Sequence, residues 1–487
     1  MNYRMIVRLL GLTLNIVAAF LLPPLLISLY CGETASAIAF LETILLTLVL
    51  GVPAWMKKPK KSAFYAREGY VVVALAWVLV SFIGALPFYL SGSIRSFVDC
   101  LFETVSGFTT TGASILKDVE VLPLGILYWR SFTHWLGGMG VLVFLLAIAP
   151  FSTGSGDSLH IMRAESPGPQ VSKLVPKTRQ SARILYEIYI AMTILEIVLL
   201  LLGGMSLFEA VTISFGTAGT GGFAVKNSSM ASYSPYIQWV VTIFMALFGV
   251  NFGVYYLLLM RSFKKALHNE EMKFYFRLIL ISVGIVTVAI LPLYGGSFAD
   301  SLRHASFQVV SIMTTTGYAT ADYDVWPQIC RMLLVMLMIV GACAGSTGGG
   351  VKCSRILIMA KSLRLSVRQM LHPNDVSFVR IDNEPVSPYT VSHVFAFLSA
   401  YSIIAALSML LVSADGFSFE TNLSAVMACL NNIGPGLHIV GPAGNYSGFS
   451  DFVKILLSID MLIGRLEIFP IVILLIPSNW KRARAQE

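Results

Sequence analysis

The sequence predicts an all-α polytopic membrane protein in which one motif recurs four times after an extra two-helix unit. Three observations carry this reading. The 487 residues are 56% hydrophobic and 12% charged, against about 45–50% and about 25% in soluble domains. Eleven stretches are long and apolar enough to be candidate spans. A Gly-rich turn, in three of four cases with Thr, recurs between them at regular spacing. So few charges could not cover a soluble chain of this size. Composition therefore excludes a soluble enzyme, a disordered chain and a disulfide-stapled scaffold.

A spanning helix needs about 20 apolar residues. Uncharged stretches of that length lie at 9–32, 69–94, 131–156, 227–260, 278–299, 332–351, 385–414 and 421–450. Three more carry isolated charges: 36–56 around Glu42, 184–204 around Glu196, and about 452–476 with Asp460, Arg465 and Glu467. The stretch 421–450 holds Asn431, Asn432, Gly434, Pro435, Gly436, Pro442 and Gly444. A lipid-facing helix does not tolerate that density of breakers, so ten spans are expected. The run 9–32 is long and lacks a small-residue cleavage site, which reads as a first membrane helix and not a cleaved leader.

Charge sets the orientation. With Arg4 and Arg8 inside and the spans alternating, 26 of the 34 Lys and Arg fall in inner segments, which puts both termini in the cytoplasm. The net charge of +8 then belongs to the cytoplasmic face and not to nucleic-acid binding. Acids lean outward, among them Asp99, Asp118, Glu120, Glu209, Asp300, Asp324 and Glu420. They would either line a cation-concentrating vestibule or simply solvate loops. The six Cys show no CxxC and read as small core residues. The seven His have no ligand spacing, and no phosphate-binding Gly-Lys motif occurs. No resident metal, organic cofactor or enzymatic constellation is expected in this chain.

The repeat begins after the second span. A long span is followed by a short apolar segment, a Gly-rich turn and a second long span. The short segments are about 98–109, 206–217, 300–314 and 418–431, too short to cross but right for re-entrant half-helices. The turns read TTTGAS (109–114), AGTGGF (218–223), TTTGYA (314–319) and NNIGPG (431–436), with Gly112, Gly221, Gly317 and Gly434 separated by 109, 96 and 117 positions. Non-helical backbone inside a membrane must be buried in protein or line a water-filled cavity. Four such loops at equivalent places suggest one ring around one axis. The expected architecture is four pseudo-repeats of helix, pore helix, filter loop and helix around one pore. Its units are 1–62 (the extra pair), 63–156, 157–265, 266–372 and 373–487. Backbone carbonyls of Thr110, Thr111 and Gly112, of Thr220 and Gly221, of Thr315, Thr316 and Gly317, and of Asn432, Ile433 and Gly434 suit a cation site, with Thr hydroxyls as further oxygens. The fourth loop lacks those hydroxyls.

A second feature lies deeper. Residues 341–350 read GACAGSTGGG. A helix starting at Pro327 reaches Gly341 after about 21 Å, short of a core about 30 Å thick, so the chain breaks inside the membrane. Arg465, the same distance along the last span, is an expensive intramembrane charge. It either sets a positive barrier in a cation path or pairs with Asp460 or Glu467. The Gly run alone is also compatible with close helix packing. The basic, amphipathic 352–370 reads either as a positive-inside flank or as a lever on a cytosolic partner.

These residues resemble the Trk/Ktr/HKT superfamily of potassium transporters, most closely the bacterial TrkH-type pore-forming subunits. The resemblance rests on SGFTTTGAS (106–114), THWLGGMG (133–140), FGTAGTGGF (215–223), MTTTGYATAD (313–322), GSTGGGVK (345–352), NNIGPG (431–436) and GRLEIFP (464–470). It implies potassium uptake across the bacterial inner membrane through a gated, potassium-selective pore, with potassium as substrate. It implies a gate at Gly345, Ser346, Thr347, Gly348, Gly349, Gly350 and Arg465. It also implies a homodimer and a cytosolic, nucleotide-binding regulatory ring of the TrkA type, so that nucleotide sits only on the partner. Gly112, where sodium-transporting relatives carry Ser, favours potassium, and the short loops imply less strict selectivity than a dedicated channel. The alternative is a symporter coupling potassium to protons or sodium, with Glu42, Glu196, Asp460 and Glu467 as the candidate proton carriers.

Overall fold

A computed structural model describes residues 2–57, 66–140, 178–374 and 376–475. Helices in chain order are α1 (Tyr3–Phe20), α2 (Leu22–Tyr30), α3 (Thr34–Met56), α4 (Ala66–Leu90), α5 (Phe97–Phe108), α6 (Leu124–Gly138), α7 (Thr178–Leu202), α8 (Leu207–Gly219), α9 (Pro235–Phe248) and α10 (Phe252–Leu259). They continue as α11 (Phe263–His268), α12 (Glu270–Ile290), α13 (Phe298–Met313), α14 (Gln328–Val340), α15 (Cys353–Leu371), α16 (Pro388–Val412), α17 (Phe419–Leu430), α18 (Asp451–Arg465) and α19 (Phe469–Leu475). One departure from an all-α chain is a hairpin of Arg380–Ile381 with Glu384–Pro385. Its turn residues Asp382 and Asn383 take positive φ, which these residue types tolerate, and the Asp382 carboxylate accepts the Glu270 amide (2.7 Å) to cap α12.

Ten spans are expected from the sequence, and the helices differ from several of them. Among the described residues, six helical stretches are long and apolar enough to cross a membrane. The region 227–260 is instead α9 and α10, bent by 90° at their junction, where Asn251 caps α10 by accepting from Gly253 N (2.8 Å). The region 332–351 is the shorter α14, which ends as Gly341 turns to φ +71°. The last span divides into α18 and α19 because Glu467 and Ile468 take positive φ and Pro470 has no N–H with which to continue a helix. The described part of 131–156 is the end of α6, which starts earlier, at Leu124, after Pro123.

The extra unit is α1, α2 and α3. Gly11 and Gly51 let α1 and α3 touch: a Cβ on Gly11 would lie 2.8 Å from the Gly51 carbonyl oxygen. Small residues allow such close crossing where lipid gives no hydrophobic drive between helices. Leu26, Leu202, Val288 and Leu410 stand exposed on helix exteriors, as a lipid-facing surface requires.

The short segments of the repeat are α5, α8, α13 and α17, close to the expected positions. Each starts at a serine, Ser96, Ser206, Ser297 and Ser418, whose side chain accepts an amide three residues on. Each carries an acid in its first turn, Asp99, Glu209, Asp300 and Glu420, complementing the helix dipole. Each also packs against a helix from a neighbouring stretch of chain: α8 on α6, α13 on α9, α17 on α14, and α5 back on α18. That last contact closes the circle.

Candidate functional site

The four loops that follow the short helices meet each other. In each, a residue at φ between 56° and 61° (Thr110, Thr220, Thr315, Asn432) precedes by two positions a glycine at φ between 76° and 95° (Gly112, Gly222, Gly317, Gly434). A left-handed Thr is strained, and its threefold recurrence marks one backbone shape imposed at each place. A Cβ on Gly112 would overlap the Gly221 carbonyl oxygen, one on Gly222 that of Thr316, one on Gly317 that of Ile433, and one on Gly434 that of Thr111. Each loop thus lies against the carbonyl of the next, and the fourth returns to the first.

This geometry corrects the register of the second loop. Gly221 occupies the place of Thr111, Thr316 and Ile433, and the left-handed glycine is Gly222. The sequence has two adjacent glycines there, and the match to TTTG favoured the wrong one. The Thr hydroxyls also have other partners than expected. Thr111 and Thr316 bond the Thr109 and Thr314 hydroxyls, each at 2.8 Å. Thr315 Oγ1 accepts the Gly349 amide (2.7 Å), and Thr220 Oγ1 donates to the Gly219 carbonyl (2.6 Å). In the fourth loop Asn432 Nδ2 donates to Thr111 Oγ1 (3.0 Å) and the Met461 carbonyl (2.9 Å). The side chains are engaged in bracing the ring.

Glu103 counts among the outward-leaning acids of the sequence, and the following braces are not foreseen there. Buried Glu103 on α5 accepts from Arg130 Nε (2.6 Å), the Ser114 hydroxyl (2.9 Å) and the Ile115 amide (3.0 Å). Arg130 reaches on to the Ala224 carbonyl (3.0 Å) and lies 3.5 Å from the Phe223 ring centroid, tying loop one to loop two. Tyr446 donates to the Gly434 carbonyl (2.7 Å) and Tyr323 to that of Gly436 (2.8 Å). His134, fully buried, backs the second loop, where a Cβ on Gly221 would strike its ring. The Ser-x-x-acid spacing ahead of three of the short segments was a legible capping signal for them.

Outside the ring, three first-turn acids have cationic partners, Asp99 with Lys454 (2.6 Å), Glu209 with Lys226 (3.1 Å) and Asp300 with Arg303 (2.8 Å), and Glu420 contacts the His438 ring. Asn227 donates to Asp118 (2.7 Å) and holds its carboxyl below the usual range. These pairs weaken an acid-lined vestibule.

Beneath the ring lies the Gly-rich segment. Gly349 donates to Thr315 as above, and Gly350 N to the Asn431 carbonyl (3.0 Å). A Cβ on Gly348 would lie 2.8 Å from the Thr314 carbonyl oxygen. Gly345 accepts the Phe252 amide (3.0 Å), Ser346 Oγ donates to the Cys343 carbonyl (2.6 Å), and Thr347 Oγ1 to that of Phe248 (3.3 Å). Lys352 folds back onto the Gly348 carbonyl. Arg465 joins the groups: Nη1 donates to Thr347 O (2.9 Å) and Thr110 Oγ1 (3.3 Å), and Nη2 to Gly137 O and to Gly138 O (2.6 Å). It pairs with neither acid considered in the sequence. Glu467 pairs with Arg355, and Asp460 accepts from Ser408 (2.8 Å). Glu42 is exposed on α3. Glu196 is fully buried beside Thr217, whose hydroxyl donates to the Ile213 carbonyl (3.0 Å).

The family model described as TrkH, cation transport protein, matches residues 36–482. The Trk system potassium uptake protein TrkH of Salmonella typhimurium is 35% identical over 490 residues, covering 99% of this chain and 100% of the relative. The Trk system potassium uptake protein TrkG of Escherichia coli is 31% identical over 99% of each chain. The crystal structure of the potassium transporter TrkH from Vibrio parahaemolyticus superposes with a TM-score of 0.88 at 30% identity, over 99% of this chain and 100% of that one. Alike in sequence and in fold to these proteins over nearly its whole length, the chain belongs to the TrkH family of cation transport proteins, which are multi-pass membrane transporters and not enzymes.

Proposed function

We propose that this chain takes up potassium across the bacterial inner membrane through one gated pore, with both termini cytoplasmic. The five units read from the sequence are an accessory helix pair and four pore repeats. The observation that carries the proposal is the closed ring in which each left-handed glycine abuts the next loop's carbonyl. Such a ring presents backbone oxygens that replace a cation's hydration shell. The four short helices direct their C-terminal partial negative charge at the same place. Potassium is favoured because the second left-handed position of each of the four loops is glycine and the relatives are named potassium uptake proteins. Residues 345–350 and Arg465 form the gate, since they contact the underside of loops one, three and four. We further assign the chain a homodimeric state and a TrkA-type nucleotide-binding ring docking on the basic helix α15.

Glu196 supports a second reading, proton-coupled symport, because it is a fully buried acid with no ion pair among the described residues. One experiment separates the two. Reversal potentials are measured in liposomes under potassium, rubidium and sodium gradients at several pH values, for wild type and Glu196→Gln. A pore gives potentials that follow potassium alone and do not move in Glu196→Gln. A pH-dependent potential abolished by that substitution establishes coupling.

A further inference from the structure

The base of the Gly-rich segment carries two thiols that the ion pathway does not use. Cys343 and Cys353 are both fully buried and unbridged. The amides immediately after them, Ala344 N and Ser354 N, donate to the same oxygen, Glu271 Oε1, at 2.7 and 2.9 Å. Cys353 N also donates to the Ala342 carbonyl (2.9 Å), and its Sγ approaches the Gly341 carbonyl at 3.5 Å. The two backbones are therefore held side by side, the first condition for a bridge between them. The Cys343 thiol lies within interaction distance of the Cys353 thiol. Two small apolar residues would fill this space equally well, so the pairing of two oxidisable groups is the informative feature.

We propose that Cys343 and Cys353 are a redox-modification site, a dithiol that hydrogen peroxide converts to a disulfide across the base of the segment, locking it beneath the ring. The proposal that this lock stops ion flow rests on the gate reading above. Peroxide is small and uncharged, so it reaches a buried pair that bulkier oxidants do not. One sulfur attacks the peroxide O–O bond and becomes a sulfenic acid, and water leaves with the thiol proton. The second sulfur then attacks the first; the S–OH bond breaks, the S–S bond forms and a second water leaves. Two thiols are oxidised by two electrons and one peroxide is reduced to two waters. A dithiol reductant reverses the step by exchange. The bridge leaves the left-handed Gly345 and Gly350 inside the closed loop and Gly341 outside it. It therefore removes the freedom of the base from which the segment would swing.

The test uses the full chain in liposomes, treated with hydrogen peroxide and quenched. Rubidium flux is measured, and unreduced digests are mapped by mass spectrometry. The expected result is a Cys343–Cys353 cross-linked peptide and a flux at least several-fold lower, restored by dithiothreitol. Both effects should vanish in Cys343→Ser and in Cys353→Ser. They should persist when Cys31, Cys100, Cys330 and Cys429 are all changed to Ser, a variant that still decides the matter if a single substitution fails to fold. No cross-linked peptide, a cross-link with unchanged flux, or equal inhibition in Cys343→Ser would overturn the proposal. Absence of flux before oxidation would instead count against the pore reading, while the peptide map would still test the bridge.

Discussion

Arg465 donates to the Thr347 carbonyl oxygen at 2.9 Å, across the space between the end of α18 and the Gly-rich segment. Its second nitrogen takes the carbonyls at the end of α6, and a weaker bond reaches Thr110 in the first loop. One side chain therefore fastens the segment to two repeats at once. On the proposed pore reading, a positive group beside the cation path opposes cations directly, and the same group immobilises the segment proposed as the gate. These two effects can be separated, because Lys retains the charge but not the planar fork.

Replacing Arg465 by Gln should therefore open a leak. Hydrogen bonds to a charged group contribute about 1.5–3 kcal/mol each, and about 1.4 kcal/mol is tenfold in an equilibrium. Rubidium uptake into liposomes without any regulatory partner should rise about tenfold in Arg465→Gln and less in Arg465→Lys. Equal flux in all three proteins would remove Arg465 from the gate.

Glu271 sets the other anchor, since one carboxylate oxygen accepts the amides at both ends of the segment. In Glu271→Ala both buried amides lose their acceptor, at about 1–3 kcal/mol each. Hydrogen exchange of residues 341–354 should accelerate about tenfold or more, with little change in α5 or α8. Unaltered protection of the segment would show that its own backbone contacts suffice.

How much of this was legible follows from how local each signal is. The four short helices were readable because their length, apolar content and trailing glycines all lie within about one turn-rich window. The break at Gly341 followed from helix rise alone. The register of the second loop was not readable, because Gly221 and Gly222 are adjacent and only the backbone distinguishes the residue whose carbonyl meets the neighbouring loop from the left-handed residue. The partner of Arg465 was not readable either, since its acceptors are main-chain oxygens up to 328 positions away. The breaks at Asn251 and at Glu467–Ile468 hide inside apolar runs whose composition still resembles a continuous span. The inner connections around 58–65 and 141–177, including several inner basic residues, lie outside the described residues.

The Glu103–Arg130 pair links loop one to loop two and is almost wholly enclosed, with side-chain exposures of 0% and 4%. Breaking a buried pair by removing one partner costs about 3–5 kcal/mol, whereas replacing both with well-packed apolar residues is often near neutral. Arg130→Met or Glu103→Leu alone should lower the thermal midpoint in detergent sharply. The double substitution should recover part of that loss while still impairing rubidium flux, because the Ala224 carbonyl and the Ser114 hydroxyl lose their partners. Additive losses in the double variant would argue that the pair has no mutual coupling.

The register of the second loop yields the sharpest test of the ring. A Cβ at Gly221 meets the His134 imidazole, a side chain that can be removed, whereas one at Gly222 meets the Thr316 carbonyl, part of the backbone. Gly222 also needs φ +76°, which costs a residue with a Cβ additional strain. Overpacking of this kind costs about 1–3 kcal/mol or more, so either Gly221→Ala or Gly222→Ala should reduce rubidium flux about tenfold. Adding His134→Ala should restore flux to Gly221→Ala, by vacating the space its methyl enters, and leave Gly222→Ala unrescued. Rescue of Gly222→Ala, or failure to rescue Gly221→Ala in a protein that keeps its thermal midpoint, would return Gly221 to the left-handed position and dissolve the fourfold equivalence on which the ring depends.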